Sequence, residues 1–469
     1  MFPSSACYTP AQNHPNKRLK SVPRRQKIMN YRIFVLLSIT GGLVLSRVPS
    51  LRAENWPQWR GPFFNGSTTE KGLPPHFSKS ENVKWVADLP GPSAATPVIW
   101  DDRVFVNSVD QQAGTLQALC LARATGKTLW QHETGVGISL DEKSNFASPS
   151  PVTDGKLVWF FYGNGQLAAF DFDGKQVWSR NIQKDYGQFA FQWTFGSSPT
   201  FYAGRLYLQV LQRDVPVHGR GRTDGPLDSF LLALDPKTGK ELWKVVRPND
   251  AREESKESYA TPIPFTFNGR PEILVAGGDC ITGHDPATGK ELWRWGTWNP
   301  DKITHWRLVP SPVAGAGVEL ACGPKGAPVF SVKAGGKGNL DDSGLAWKGA
   351  EREISSDVST PLFYEGRFYI LNSDRRTLAR VVPASGKIEW TGEPGSQAKI
   401  ESSPTAADGK IYFLNHRGDV FVVEAGEQFK LLHKTAMGDG GDNNLRSSIA
   451  IAQGCLFIRT GSKLYCVGN

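Results

Sequence analysis

A short segment that ends in tryptophan recurs along this chain of 469 residues and constrains its fold more than any other feature. Residues 124–130 read Ala-Thr-Gly-Lys-Thr-Leu-Trp, and four further segments repeat the Gly-Lys pair and the closing tryptophan. These further copies are residues 173–178, 238–243, 288–293 and 385–390. Self-similarity at a regular spacing indicates a repeat architecture, so we read the chain as a series of equivalent units.

Each unit contains three more short runs upstream of its tryptophan. The seventh unit is the clearest, because Ser403-Pro404 is followed by apolar residues at 408–413 and 418–423, with turn residues between the runs. Asp-Gly and Thr-Gly-Lys supply the glycine that tolerates the positive φ of a tight hairpin. Short alternating runs separated by such turns predict a four-stranded antiparallel meander for each unit.

Two columns of residues set the number of units. A Ser/Thr-Pro start recurs near Pro97, Pro151, Pro199, Pro262, Pro312, Pro361 and Pro404, with a weakened eighth start at residues 447–449. The tryptophan column contains Trp85, Trp130, Trp178, Trp243, Trp293, Trp347 and Trp390. Successive tryptophans are 43 to 65 residues apart, a period that matches propeller blades. We interpret the column as structural blade-packing residues, because a large aromatic side chain buries ~150–250 Å².

The two ends of the series complete each other. Residues 82–89 carry a tryptophan strand without three strands before it, whereas residues 447–467 carry three strands without a tryptophan strand. An N-terminal strand that supplies the outer strand of the last blade closes the ring and leaves no long free edge. The sequence therefore predicts an all-β, eight-bladed β-propeller of four-stranded antiparallel blades over residues 82–469, an N-terminal extension at 54–81 and a leader at 1–53.

The positive charge of the chain is concentrated in the leader. Nine of the 54 Lys and Arg residues lie in residues 1–53, which contain no Asp or Glu, so the remaining 45 basic residues match the 45 acidic ones. This balance argues against a nucleic-acid partner, because binding to nucleic acid favours a protein with net positive charge.

The leader combines basic residues, an apolar stretch at 33–45 and a small residue before Glu54, a pattern typical of an export signal. A start at Met29 would give a signal of more ordinary length. We therefore expect an exported protein, periplasmic or extracellular, without an integral membrane span after signal removal.

The motifs of common enzyme classes are absent from the sequence. It has no Gly-x-Ser-x-Gly elbow, His-Glu-x-x-His pair, phosphate-binding loop, EF-hand loop or Cys-x-x-Cys pair. Its histidines are scattered singly, and five cysteines follow the leader, an odd number that argues against a complete disulfide framework. We therefore predict no catalytic residues and no metal site.

The repeat resembles that of the quinoprotein-like, PQQ-repeat β-propellers of bacteria. Blades of that family carry Ala-x-Asp-x-x-Thr-Gly-Lys-x-x-Trp, which residues 233–243 fit closely and residues 285–290 repeat in part. The resemblance covers roughly residues 56–467. The opening residues 56–62, Trp-Pro-Gln-Trp-Arg-Gly-Pro, are similar to the start of a large exported subgroup with no settled activity.

The resemblance implies two different kinds of activity. Family members that are alcohol or sugar dehydrogenases hold pyrroloquinoline quinone on the ring axis with a calcium or lanthanide ion, a catalytic Asp and often a disulfide between adjacent cysteines. No two cysteines are adjacent here, and no motif locates the metal ligands. Another branch is the lipoprotein propeller that scaffolds outer-membrane protein assembly, which this chain resembles in its repeat but without a lipobox cysteine.

Propeller topology predicts where a binding site would lie. Connections between blades share one face with the connections between second and third strands, and most long connections fall on it. We name this the long-loop face; the Asp-Gly and Thr-Gly-Lys turns share the opposite, turn face. Function concentrates on loops held by a rigid scaffold, so we expect binding on the long-loop face. The residues that enter the inner strands there form the candidate binding set: Asn145, Trp193, Tyr259, Trp306, Arg307, Asp357, Glu401 and Arg446.

Four charged members of this set come from consecutive blades, and their alternating signs predict mutual ion pairing in the channel. Aromatic residues together with arginine are common at interface hot spots. The sequence therefore favours a non-catalytic binding or scaffold module for a protein or cell-envelope partner, with no cofactor. A pyrroloquinoline-quinone-dependent dehydrogenase with calcium and a diverged site is one alternative, and a carbohydrate-binding propeller is another.

Overall fold

Eight sheets, each containing four strands in antiparallel order, confirm the eight-bladed propeller predicted from the repeat. The computed structural model describes residues 54–139, 141–296, 298–349 and 354–469, so the predicted leader at 1–53 lies outside the described residues. Within these ranges, none of the helices has the length and apolar character needed to cross a bilayer.

The strands are short, and each blade runs from its innermost to its outermost strand. Strand β1 (Val83–Asp88) precedes the first complete blade. Blade 1 contains β2 (Val98–Trp100), β3 (Arg103–Asp110), β4 (Thr115–Ala122) and β5 (Thr128–Val136). Blade 2 contains β6 (Val152–Thr153), β7 (Leu157–Phe161), β8 (Gln166–Asp171) and β9 (Gln176–Asn181). Blade 3 contains β10 (Thr200–Tyr202), β11 (Arg205–Val210), β12 (Phe230–Leu234) and β13 (Glu241–Val246).

The second half of the ring repeats the arrangement. Blade 4 contains β14 (Ile263–Phe267), β15 (Arg270–Gly277), β16 (Cys280–His284) and β17 (Glu291–Trp295). Blade 5 contains β18 (Val313–Gly315), β19 (Val318–Cys322), β20 (Val329–Lys333) and β22 (Leu345–Lys348), with β21 (Gly338–Leu340) inserted before β22. Blade 6 contains β23 (Leu362–Tyr364), β24 (Arg367–Asn372), β25 (Thr377–Val381) and β26 (Ile388–Gly392). Blade 7 contains β27 (Thr405–Ala407), β28 (Lys410–Leu414), β29 (Asp419–Glu424) and β30 (Leu431–Ala436).

The last blade contains strands from both ends of the chain, as the sequence predicts. It consists of β31 (Ala450–Ala452), β32 (Cys455–Arg459) and β33 (Lys463–Gly468), and β1 is its outermost strand. Strand β1 runs antiparallel to β33, with Trp85 opposite Cys466. The hydrogen bonds between β1 and β33 therefore join the N-terminal strand to the C-terminal hairpin and close the ring.

Three short helical segments lie wholly within the described residues: helix α1 (Ile182–Tyr186) and two 3₁₀ turns at Glu253–Lys256 and Asp342–Gly344. The connection around residues 335–344 is longer than the other turns of its face, and the structure shows why. It contains β21, which pairs in parallel with β17 and places Gly338 opposite Trp293. Blade 4 therefore has a fifth strand that the blade 5 hairpin provides.

Burial explains the pattern of apolar residues within a blade. Strand β4 is buried along nearly its whole length, whereas β5 alternates between exposed and half-buried residues. Middle strands are covered on both faces by the neighbouring blades, so both of their faces are apolar. Outermost strands are covered less and keep polar residues.

The tryptophan column lies on the outermost strands, where six of its seven indole N–H groups donate to a carbonyl oxygen in the next blade. The acceptors are, in the order of the tryptophans, Arg123, Phe172, Pro236, Pro286, Pro383 and Gly426. Trp293 is the exception, since its Nε1 donates to Glu272 Oε2 of its own blade at 2.5 Å. These side chains thus connect consecutive blades along most of the ring.

Candidate functional site

The N-terminal extension lies in the central channel. The innermost strands face the axis, and residues 56–68 form hydrogen bonds with those of five blades. The backbone groups of Trp56 and Ile99 exchange two hydrogen bonds of 2.9 Å, and Thr153 N donates to Pro57 O at 2.9 Å. Further bonds join the extension to Phe201, Phe363 and Ala406 of blades 3, 6 and 7. The extension therefore closes the turn-face end of the channel.

Arg60 fixes this segment between two blades. Its guanidinium donates from Nη1 to Pro404 O and from Nη2 to Pro361 O, each at 2.9 Å, and Nη2 also lies 3.1 Å from Asn65 O. The residue is 1% exposed, and burial lowers the pKa of its guanidinium to about 9. Backbone carbonyl dipoles thus stabilise a buried cation at the centre of the ring.

A cavity of about 530 Å³ occupies the long-loop end of the channel, and we name it the axial cup. Trp59 of the extension belongs to its lining and forms its floor. The wall contains Ser and Thr residues that precede the innermost strands: Ser150, Ser198, Thr261, Thr360, Ser403 and Ser448. The volume falls within the ~300–1,000 Å³ that is typical of small-ligand sites.

A chain of hydrogen bonds passes from blade to blade around the axial cup at the Ser/Thr-Pro positions. In each link, a backbone N–H donates to the hydroxyl oxygen of the corresponding residue in the next blade, at 2.8 to 3.1 Å. Six consecutive links join the members of this hydroxyl ring: Thr96, Ser150, Ser198, Thr261, Ser311, Thr360 and Ser403. The recurrent hydroxyl residue before proline therefore holds neighbouring inner strands at a fixed spacing.

Most of the candidate binding set lines the axial cup: Trp193, Tyr259, Arg307, Asp357, Glu401 and Arg446. The remaining two candidates lie outside it. Asn145 stabilises its own loop, because its side chain donates to Pro92 O at 2.9 Å and accepts from Ala147 N at 3.0 Å. Trp306 is half-buried and packs against the apolar cluster that contains Trp295. Asn145 and Trp306 therefore stabilise the packing of their loops and do not line the cup.

Glu401 is the centre of the first charged group in the cup. Arg446 Nε lies 2.6 Å from Glu401 Oε2, and His416 Nε2 lies 2.8 Å from the same oxygen. Burial opposes ionisation of Glu401, but the hydrogen bonds and charges of His416 and Arg446 outweigh it and lower the pKa of Glu401 to about 2. Arg446 also donates from Nη1 to Lys143 O at 2.7 Å, which connects two long loops across the mouth.

Arg307 forms the second charged group. Its Nη2 lies 3.7 Å from Asp357 Oδ2, and its Nε lies 3.8 Å from Glu254 Oε1. Glu254 Oε1 also accepts from Trp193 Nε1 at 3.1 Å, so the tryptophan ring is held in place by the same carboxylate. The four charged candidates are thus ion-paired, which leaves no unmatched charge among them.

A buried network supports the aromatic wall of the cup. Tyr259 Oη donates to Glu257 Oε2 at 2.6 Å and accepts from Trp193 N at 3.1 Å. Arg213 Nε lies 2.6 Å from Glu257 Oε1. Burial raises the pKa of Glu257, and burial together with the Glu257 charge raises the pKa of Tyr259 well above its usual value. Trp193 and Tyr259 are therefore held by bonds that do not involve the cavity.

The candidate binding set predicted from the sequence leaves out several residues that line the cup. The lining also includes Trp59, Lys143, Lys399, His416 and Asn444. Trp59 belongs to the recognisable motif at 56–62, but its place in the channel depends on bonds to strands far along the chain. His416 lies between the second and third strands of blade 7, so propeller topology places it on the long-loop face together with Glu401.

The donor set of the axial cup does not fit a calcium-dependent quinone. Calcium takes about 6–8 oxygen ligands, several of them carboxylates. The carboxylates in the cup lining are Asp357 and Glu401, and both are already engaged with arginine. In residues 54–469, apart from the gaps in the described ranges, no three His, Cys, Asp or Glu side chains are grouped to hold a metal ion. The five cysteines there are buried and form no disulfide.

The chain matches the PQQ_2 family, described as "Outer membrane protein assembly factor BamB", over residues 77–207, 120–261 and 277–469. A polyvinylalcohol dehydrogenase from Pseudomonas sp is 25% identical over 263 residues, which is 52% of this chain and 36% of that protein. The match therefore spans about a third of the length of that relative.

Solved structures share the fold at low identity. BamB from Moraxella catarrhalis superposes with a TM-score of 0.56 and 12% identity, covering 81% of this chain and 98% of that one. A quinohemoprotein alcohol dehydrogenase from Comamonas testosteroni gives a TM-score of 0.59 and 14% identity, covering 88% of this chain and 81% of that one. At these identities the likeness concerns the propeller fold alone.

Proposed function

The chain belongs to the PQQ_2 family of β-propellers, and on that premise we propose that it is a non-catalytic, exported binding or scaffold module that engages a protein or cell-envelope partner through its long-loop face. One observation carries the proposal. The N-terminal extension closes the turn-face end of the channel with Arg60 and Trp56, so the axial cup opens on the long-loop face.

The rim of the axial cup has the composition of a recognition surface. Trp193, Tyr259, Arg307 and Arg446 meet there, and aromatic and arginine side chains are enriched at binding hot spots. Each is held by hydrogen bonds or ion pairs to neighbouring loops. Binding to such a surface loses little side-chain entropy because the side chains are already ordered.

The family description and the predicted leader support the same cellular setting. The family is described by its role in outer membrane protein assembly, and a BamB structure shares the fold. Residues 1–53 have the composition of an export signal. An exported propeller that contacts an envelope partner is consistent with both.

A quinone-dependent dehydrogenase is the second candidate. The similarity to a polyvinylalcohol dehydrogenase over 52% of the chain favours a dehydrogenase, and 30% identity to a quinohemoprotein alcohol dehydrogenase from Pseudomonas putida over 36% of the chain favours a quinone. The ion pairs of Asp357 and Glu401 argue against it, because a metal ion would have to displace an arginine from each.

The experiment has two parts. A photo-crosslinking amino acid is placed at Asn443, which is exposed on the long-loop face, or at Lys127, which is exposed on the turn face, in cells that export the protein. We expect a discrete crosslinked product from position 443 and none from position 127. Equal products from both positions would contradict the proposed face.

The second part tests catalysis directly. Purified protein is incubated with pyrroloquinoline quinone and calcium, and then assayed for a bound chromophore and for dye reduction by alcohols. The proposal expects neither. A stoichiometric chromophore with turnover would replace the binding role with the dehydrogenase.

A further inference from the structure

Every Lys and Arg side chain in the lining of the axial cup is ion-paired, two of them with carboxylates of the lining and two with carboxylates outside it. Four cationic side chains contribute to it: Lys143, Arg307, Lys399 and Arg446. Each lies within 4 Å of a carboxylate. The pairs are Lys143 with Glu142 at 3.1 Å, Arg307 with Asp357 at 3.7 Å, Lys399 with Asp374 at 3.0 Å and Arg446 with Glu401 at 2.6 Å. An anionic ligand would compete with these carboxylates for the same cations, so the cup favours a ligand without net charge.

The hydroxyl ring provides hydrogen-bond donors to this cup. Five of its members line the cavity and are only 1 to 6% exposed: Ser150, Ser198, Thr261, Thr360 and Ser403. Each hydroxyl oxygen accepts a backbone N–H from the preceding blade, which leaves its own proton to donate. Within the described part of the chain, no acceptor is paired with any of these five protons. A ligand rich in oxygen acceptors would supply the missing partners.

Aromatic rings supply the apolar part of the lining. Trp59 forms the floor, and Trp193 and Tyr259 form part of the wall. An aromatic face packs well against the C–H face of a sugar ring, while the sugar hydroxyl groups reach polar side chains around it. The aromatic faces, the hydroxyl donors and the paired charges of the cup therefore all favour an uncharged sugar as its ligand.

We propose that the axial cup binds the end of a neutral saccharide chain. Its oxygen atoms accept hydrogen bonds from the five members of the hydroxyl ring that line the cup, and its C–H face packs on Trp59 or Trp193. This inference rests on the proposed binding function and defines the chemistry of its cell-envelope partner. The turn-face end is closed by the extension, so the chain end enters from the long-loop face.

The test measures binding of defined oligosaccharides to the purified full chain. The neutral probes are cellotriose, maltotriose and tri-N-acetylchitotriose, and the charged comparison is trigalacturonic acid. Saturation-transfer NMR detects contact with the sugar protons, and quenching of tryptophan fluorescence gives the affinity. We expect at least one neutral probe to bind with quenching and to bind at least tenfold more tightly than trigalacturonic acid.

Matched variants separate the cup from the rest of the ring. Ser198→Ala removes a donor inside the cup, whereas Ser311→Ala removes a ring hydroxyl outside the cup lining, and each deletes one link between blades. Trp193→Leu and Trp306→Leu form a second pair, inside and outside the cup. We expect the Ser198 and Trp193 variants to weaken binding at least tenfold and the Ser311 and Trp306 variants to bind as the wild type does. Thermal unfolding of all four variants verifies that they are folded at the assay temperature.

The outcomes distinguish failure of the saccharide inference from failure of the proposed binding function. Binding that is equal for neutral and acidic probes, or equally weakened in both members of a pair, overturns the saccharide inference. Absence of binding by every neutral probe, together with a crosslinked protein from position 443, overturns it as well but leaves the proposed partner-binding face intact. Quinone-dependent turnover overturns the proposed function and the inference together.

Discussion

Gly239 lies directly against the indole of Trp178 in the preceding blade, and a Cβ atom at position 239 would lie 2.7 Å from Cε3 of that ring. The backbone of Gly239 has a φ of 69°, in the left-handed region that favours glycine. The Thr-Gly-Lys turn therefore needs glycine for two reasons, which are its backbone conformation and the tryptophan that covers it. The contact recurs where Gly126, Gly174, Gly289 and Gly386 meet the tryptophan of the blade before.

The substitution Gly239→Ala separates these two reasons when it is compared with Gly204→Ala. Gly204 has a φ of 73°, but nothing lies within 4 Å of its hypothetical Cβ. We expect Gly204→Ala to lower the free energy of unfolding by about 1 kcal/mol, through backbone strain alone. Gly239→Ala should lower the free energy of unfolding by about 1–3 kcal/mol more than Gly204→Ala does, because the added methyl group overpacks the blade interface. Urea denaturation of both variants measures the difference, and equal losses would show that the tryptophan adapts without cost.

Arg60→Met tests the closure of the channel. The substitution removes the hydrogen bonds to the carbonyl oxygens of Pro361 and Pro404 and leaves both oxygens buried without that partner. We expect a loss of about 2–4 kcal/mol of unfolding free energy, since bonds to a charged donor are stronger than neutral ones. The N-terminal extension should also become sensitive to protease below the unfolding temperature. Arg252→Met, at an exposed position, is the control and should leave both properties unchanged; the prediction fails if the two variants behave alike.

The fold could be predicted because its signals are local and repeated. The hairpin glycines, the alternating strands and the tryptophan column each recur at blade spacing, and the incomplete ends at Trp85 and residues 447–467 fix the closure. The extra strand β21 could not be predicted in this way. Gly338–Leu340 is short and has no apolar alternation, and it pairs with β17 only because the blades are neighbours in space.

The candidate site was predictable only where blade position determines it. Arg307, Asp357, Glu401 and Arg446 each lie shortly before the first strand of a blade, so the repeat alone brings them to one channel. Trp59 lies outside the repeat, and its role depends on the path of the extension between five blades. The hydroxyl ring had a sequence signal in the Ser/Thr-Pro column, but the column alone does not show that six of its hydroxyl groups accept a hydrogen bond from the blade before.

The pH dependence of Glu401 follows from its depressed pKa. The carboxyl group has a pKa of about 2 in the folded chain, below its usual 4.5, because the hydrogen bonds and charges of His416 and Arg446 outweigh the effect of burial. A carboxylate of lowered pKa stabilises the fold above its unfolded pKa, and that contribution is lost as the pH falls through the folded value. At pH 6, the free energy of unfolding of the wild type should therefore exceed that of Glu401→Gln by up to about 3 kcal/mol. The difference should shrink as the pH falls from 4.5 to about 2. Urea denaturation across this range checks it, and a constant difference would contradict the ion-pair role.

Glu319 should show the opposite dependence. It is fully buried between blades 4 and 5, and neither of its carboxyl oxygens has a hydrogen-bond partner in the described residues. Burial, and then the charge of Glu272, raise the pKa of Glu319 well above 4.5. The folded chain thus holds a proton that the unfolded chain releases, so rising pH favours unfolding from 4.5 up to the folded pKa.

Glu319→Gln removes this titration while it keeps the size and polarity of the side chain. We expect the variant to gain stability relative to wild type as the pH rises above 4.5, with the gain levelling off once the pH exceeds the folded pKa of Glu319. Glu365→Gln, at an exposed turn, is the control and should follow the wild type across the same range. The measurement is the midpoint of urea unfolding at intervals from pH 4 to pH 9. A variant that loses stability relative to wild type with rising pH would show that Glu319 is ionised in the folded chain, and that a partner for its charge lies at the interface of blades 4 and 5.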